Sequence, residues 1–428
     1  MKHIKKLLLA GLAAVVVIVV VVEQNHPFQF PPIPTSPLPV PNAYDYYTKA
    51  SDGAKRDEAT VKVPQSLVGY GYSGYPTQLQ LEVLRVVAPD LKTMRAGFAF
   101  PFALPVDHNN PQFFSYAGFR ELARLLQLQG LVDEKNGDWG GAADTYIDSI
   151  KLGVDIPHGG AIISQLVGVA CESIGRKNLW TILPHLSDAQ AQAAKMRLLA
   201  IEPNRATYAN AQVQEKYDQQ ARFQVYFKPR DWANEIADAY TTSDGSGAPS
   251  TFDKLLFVWR MRIAGKRAIY NQYSVYQDAV IEAARQPYGA HARVKNVPVD
   301  PITAFEDAEY GTDPYAANQL GRGRVVDSQA QNELLIVSLA LQQYHLKNHT
   351  YPKSLSELIP TYLSTIPADP YALSGPLRYI KFGATYCLYS VGPDTIDNHG
   401  AAIGSSGSSV RPYVEDDSKG DIVAGVNP

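Results

Sequence analysis

Sixteen consecutive residues, Leu7 to Val22, are aliphatic or glycine, so every face of any helix they form must be buried. A bilayer provides that burial. Lys2, Lys5 and Lys6 stand just before the run, which is the layout of a signal anchor or of a cleavable signal peptide. A peptidase site needs small residues shortly after the run, yet Val19 to Val22 pass directly into Glu23, Gln24 and Asn25. Residues 1–24 therefore read as an uncleaved transmembrane anchor. At about 1.5 Å rise per residue the run spans roughly 24 Å against a hydrocarbon core of about 30 Å, so the lysines must snorkel or the bilayer must thin. The positive charges precede the helix, which predicts a cytoplasmic N-terminus and residues 23–428 outside the cytoplasm. No cysteine follows the run, which excludes a lipoprotein anchor.

The rest of the chain suffices for two or three domains of about 100 to 200 residues each. Apolar residues make up 45 % and charged residues 19 %, a composition that can support packed cores. The formal net charge is −3 and no Lys/Arg run occurs outside the N-terminus, so the sequence shows no electrostatic footprint for nucleic acid. Cys171 falls in an apolar helical stretch and Cys387 in a strand-like run, which predicts two separately buried thiols rather than a disulfide.

Seven prolines between Pro27 and Pro41 fix φ and remove donors, so residues 25–41 are expected to form an extended spacer lifting the body off the membrane. Asn42 can cap a short helix through Ala43, Tyr44, Tyr47 and Ala50, and a second helix fits Leu79 to Ala96 with a kink at Pro89. A stronger helical stretch runs from Phe113 to Leu199, broken at Asn136-Gly137, at Pro157 to Gly160 and at Pro184 to Asp188. Within it Gly130, Gly137, Trp139, Ala142 and Tyr146 match the spacing of one tetratricopeptide-like hairpin. Asp133 and Val154 depart from that pattern and no second copy follows, so a generic helical hairpin is expected. Two further helices fit residues 204–285, around a Ser/Gly/Pro-rich gap at Thr241 to Ser250. An irregular stretch from Gln286 to Pro314 precedes a last helix over roughly Ala316 to Lys347, with Val326, Leu334, Val337, Leu341 and Tyr344 at helical spacing. The expected fold is mainly α with a C-terminal α+β domain. Its parts are the anchor 1–24, the spacer 25–41, a helical-hairpin body 42–314, and a domain 315–428 in which a long helix packs on a small antiparallel sheet.

The residues LALQQYHLKNHTYPKSLSELIPTYLSTIPADPY (Leu339 to Tyr371), then YCLYSVGPDTIDNHG (Tyr386 to Gly400) and a late DIV (Asp421 to Val423), follow a specific order. An amphipathic helix, a Tyr-Pro turn, a short helix, a Pro-x-Asp-Pro turn and a Tyr-Ser-x-Gly-Pro-Asp hairpin succeed one another. About a quarter of the chain thus resembles the periplasmic domain of the major pseudopilin of type II secretion systems. That family holds calcium in the hairpin region, and the matching positions are Asp394 and Asp397, with Asp421 returning near the C-terminus. Calcium takes six to eight oxygens, which three carboxylates with backbone carbonyls and water could supply; the alternative is a solvated turn whose aspartates cap backbone amides. Two departures stand out. The equivalent helix is polar at Arg322, Arg324, Asp327 and Gln329, and no prepilin-peptidase site occurs, so packing into a pilus is not expected. With its anchor, its Asn42 to Tyr47 start and its helical body, the chain resembles a group of bacterial membrane-anchored envelope proteins of no assigned activity. The resemblance implies a single pass through the bacterial inner membrane with the body in the periplasm.

Gly69-Tyr70-Gly71-Tyr72-Ser73-Gly74 satisfies the spacing of a dinucleotide-binding fingerprint, but Pro64 stops the preceding strand-like run and the following helix leads to more helix. A Gly/Tyr-rich loop is the expectation. His345 and His349 stand at i and i+4 without the glutamate of a zinc-protease motif, and read as a surface pair or as capping residues. No nucleophile elbow, phosphate loop or Cys-x-x-Cys is present. The chain therefore reads as a non-enzymatic, membrane-anchored binding or scaffold protein with an envelope protein as partner. The alternatives are an accessory part of a type II secretion or pilus-like system, and an envelope hydrolase with carboxylates on two helices.

Overall fold

The computed structural model describes residues 28–61, 77–108, 116–228, 232–234, 251–290, 314–404, 414–415 and 418–426. The apolar run Leu7 to Val22, the Gly69 to Gly74 motif and the Thr241 to Ser250 gap lie outside the described residues. Among those described, no helix is long and apolar enough to cross a membrane. The described chain is mainly helical with one small three-stranded antiparallel sheet.

Most helices begin where a short polar side chain can take an orphan backbone N–H. The Asn42 side chain accepts from Tyr44 N to start α1 (Ala43–Glu58) and also exchanges hydrogen bonds with the backbone of Ala103. Thr77 builds a capping box with Gln80 at the start of α2 (Gln78–Gly97), which continues through Pro89. After α3 (Ala117–Lys135), Gly137 turns at φ 74° and Asp138 caps α4 (Trp139–Asp155). Gly130 is required at the contact between the two, since a Cβ there would lie 2.2 Å from the Tyr146 ring. Pro157 to Gly160 then separates α4 from α5 (Ile162–Ile182), and Ser187 caps α6 (Asp188–Ile201). Thr207 caps α7 (Tyr208–Tyr226). The next helix, α8 (Thr251–Arg285), is interrupted at Gly265, whose φ of 76° is outside the helical region. The last, α9 (Pro314–Asn348), runs 35 residues.

The packing centres on α9. Every residue from Leu334 to Leu341 is 0 % exposed, so this segment is covered on all sides. One hydrophobic cluster joins Tyr146, Leu179 and Leu198 of α4 to α6 with α9, and continues through Leu358 and Tyr371 to Leu388 and Ile422. The sheet runs β1 (Arg378–Phe382), β2 (Thr385–Ser390), β3 (Ile422–Val423), with Ile380 opposite Cys387 and Tyr389 opposite Val423. Cys171 is buried, Cys387 is half-buried and both are free. Asp369 of the Pro-x-Asp-Pro turn fastens that turn to the end of β2, accepting from Ser390 Oγ at 2.6 Å and Val391 N at 3.0 Å. A second cluster gathers α1, α2 and α3, where the buried Tyr47 donates to Asp155 at 2.6 Å. A third sits where α7 meets α8, and it takes in Phe28 and Phe30 from the proline-rich segment. That segment has no helix or strand over residues 28–40, yet its Phe28 to Pro31 end is docked, with Gln220 Nε2 donating to Pro31 O at 2.6 Å.

Gly130→Ala places a methyl inside the Tyr146 ring contact. Although alanine is the better helix former, the variant should lose about 1–3 kcal/mol of stability in urea unfolding, as overpacked cores do.

Candidate functional site

The first half of α9 is polar because it faces buried charge. Arg205 lies just beyond the turn Glu202–Asn204 and forks onto the buried Glu172 of α5, with Nη1–Oε1 2.9 Å and Nη2–Oε2 2.6 Å. The same guanidinium holds Glu202 through Nε and Nη2, each at 3.0 Å. Asn332 of α9 closes the set, donating through Nδ2 to Glu172 Oε2 at 2.8 Å and to Glu202 Oε1 at 2.6 Å. On its other side Asn332 Oδ1 accepts from Arg176 Nη1 at 3.0 Å, and Ser328 Oγ accepts from the same nitrogen at 3.1 Å. Glu172 is 1 % exposed, so removing Arg205 would leave a buried group without its counter-charge. Nearby Asp327 is pushed up to about 6, chiefly by burial.

Beside this network opens a cleft of about 690 Å³ between the 202–208 turn, the end of α8, α9 and the 363–372 loop. Its walls combine Tyr208, Tyr288, Pro203, Pro287 and Ile336 with the carboxylates of Glu202, Glu333 and Asp369. Most of the charges are already engaged. Both Glu202 oxygens accept from Arg205 or Asn332, and Asp369 accepts from Tyr371 N, Ser390 and Val391. Arg322 donates to Gln286 O at 2.5 Å with its guanidinium 5.4 Å over the Tyr288 ring. Glu333 differs: among the described residues its carboxyl has no hydrogen-bond or ion-pair partner, and burial followed by repulsion from Glu202 pushes it up to about 7. Glu333 follows Asn332 directly, so the hydrogen bonds that fix Asn332 also set where Glu333 stands.

The acidic residues expected to hold calcium meet at the far end of the sheet. Asp421 is fully buried and accepts from Asn398 N at 3.2 Å and Gly400 N at 2.7 Å. Asp394 accepts from Ile396 N at 3.0 Å and Gly420 N at 3.2 Å, while Asp397 accepts from Tyr389 OH and His399 N. Their oxygens thus turn toward backbone amides, and among the described residues no three acidic, His or Cys side chains gather closely enough to hold a metal. Each of the three aspartates thus caps at least one backbone amide. His345 and His349 do not converge either: His345 stacks on Tyr351 at 4.5 Å and His349 sits in a turn at φ 54°.

No family model matches the chain, and no curated protein or solved structure shows significant similarity to it. Sequence reasoning missed Glu333 because Gln331-Asn332-Glu333 looks like any polar helical turn. The Glu172–Arg205 pair links positions 33 residues apart, for which no local spacing gives a signal.

A carboxyl that holds its proton more tightly folded than unfolded stabilises the fold most below its unfolded value, near 4.5 for Glu333, and that contribution is lost as pH rises toward about 7. Glu333→Gln should therefore flatten the fall in urea stability between these pH values, by on the order of 1–3 kcal/mol.

Proposed function

We propose that the chain is a membrane-anchored, extracytoplasmic binding protein whose ligand site is the Glu333 cleft. The observation that carries this reading is one unpartnered carboxyl in a cleft walled by tyrosine and proline, whose other carboxylates are already engaged. Such a site accepts a cationic or N–H-rich group, with an apolar body lying against Tyr208, Tyr288 and the prolines. A lysine or arginine side chain within a peptide segment has that chemistry, which agrees with an envelope protein as partner. Anchoring rests on Leu7 to Val22 and the lysines before it.

The hydrolase reading draws support from Glu202 and Glu333 lining one cleft, with Glu333 in the range of a general acid. Glu202 counts against it. Each of its oxygens already accepts from Arg205 or Asn332, so among the described residues Glu333 is the one cleft carboxyl without a hydrogen-bond partner. An accessory role in secretion rests on the resemblance of residues 339–371, 386–400 and 421–423 alone, as does calcium binding by Asp394, Asp397 and Asp421, and the binding reading uses neither.

Calorimetric titration with short lysine- or arginine-containing peptides tests the site. A ligand cation needs ionised Glu333, so apparent affinity should tighten roughly tenfold or more from pH 5.5 to 8, following the ionised fraction. Glu333→Gln should abolish both binding and its pH dependence. Equal binding by wild type and variant would refute the assignment, and turnover of an envelope polymer lost in Glu333→Gln would favour the hydrolase.

A further inference from the structure

The proline-rich segment fixes how far the body can stand from the bilayer. Phe28 packs on Tyr270 at 5.5 Å, Phe30 stacks on Phe227 at 5.8 Å, and the Arg267 guanidinium lies 5.8 Å over Phe28. Only six Cα steps separate Val22, the last residue of the apolar run, from the docked Phe28. Fully extended, they reach at most about 20 Å. The end of the body where α7 meets α8 is therefore held next to the membrane surface if residues 1–24 are an anchor.

That end has the chemistry of an interfacial surface. Val225 is 53 % exposed and Trp259 37 %, and the cations Arg222, Lys228 and Arg267 are exposed beside them. The sequence from Thr251 to Arg267 carries five cations, Lys254, Arg260, Arg262, Lys266 and Arg267, against the single anion Asp253. Basic helices with tryptophan and large aliphatic residues lie in the headgroup region, where tryptophan is favoured and cations meet anionic lipids. Gly265 interrupts α8, and residues on both sides of it pack on α7, Val258 and Met261 before it and Tyr270 and Gln277 after it.

We propose that the α7–α8 end of the body rests on an anionic phospholipid surface, with Trp259 and Val225 at the interface and Arg222, Lys228 and Arg267 on headgroups. The proposal rests on the anchored reading of residues 1–24 and is independent of the Glu333 cleft.

The test uses the full chain reconstituted into phosphatidylcholine vesicles, with or without about 30 % phosphatidylglycerol, containing lipids brominated near the headgroup. Trp259 emission is taken as the difference between the natural chain and Trp259→Phe. Quenching of Trp259 by the brominated lipid is expected, stronger with phosphatidylglycerol, and falling by at least half in about 0.5 M salt or in Lys228→Glu/Arg267→Glu. The salt arm needs no substitution, so it stands even if that variant folds poorly. A chain that floats with the vesicles while Trp259 stays unquenched keeps the anchor and overturns the surface contact. A chain that does not float lacks the anchor and overturns both.

Discussion

Leu334 to Leu341 form two turns of helix that are apolar on nearly every face, and such a segment has to be covered on every face. This requirement organises the described fold. Helices α5 and α6 close one side of α9, while β2, the turn around Leu358 and the loop to Tyr371 close the other. Burying each Leu, Ile or Val there contributes about 1.5–3 kcal/mol, so neither set of covering elements can be removed without exposing a large apolar area. Residues from the helical body and from the C-terminal portion consequently share one core.

The polar half of the same helix gives that core its register. Asn332 bonds at once to Glu172, Glu202 and Arg176, and this pattern can be made in only one rotation of α9. Buried ion networks are seldom strong net contributors to stability, because desolvation offsets their attraction, but breaking one strands a charge. Here the network locates the helix and, one residue on, presents Glu333 to the cleft. Polar residues in this half of α9 thus have partners in the body: Ser328 and Asn332 meet Arg176, and Arg322 meets Gln286 and Tyr288.

Much of the helical frame is legible locally. Asn42 caps where a short polar residue precedes an apolar period, and the helices from Ala117 to Ile201 stop at Gly137, Pro157 and Pro184 for the reasons those residues always stop them. Spacing alone assigns α9 a single apolar stripe through Leu334, Val337 and Leu341, whereas the unbroken run between them signals burial on all sides. The basic stretch from Lys254 to Arg267 is also written in the sequence, but its cations are interspersed with aliphatic residues and disappear into a net charge of −3. Side-chain pairings between distant segments have no such signature. Glu172 with Arg205, and Asp369 with Ser390, become visible only when packing brings their elements together.

The central claim is that α9 welds the helical body and the C-terminal sheet into one core, and native-state hydrogen exchange tests it most directly. If it holds, the slowest amides of α5, α6, α9 and β2 should all exchange through one global opening, with the same free energy and the same denaturant dependence. Exchange of β1, β2 and the 355–377 region at a distinctly lower free energy than α5 and α6, with its own denaturant slope, would contradict it.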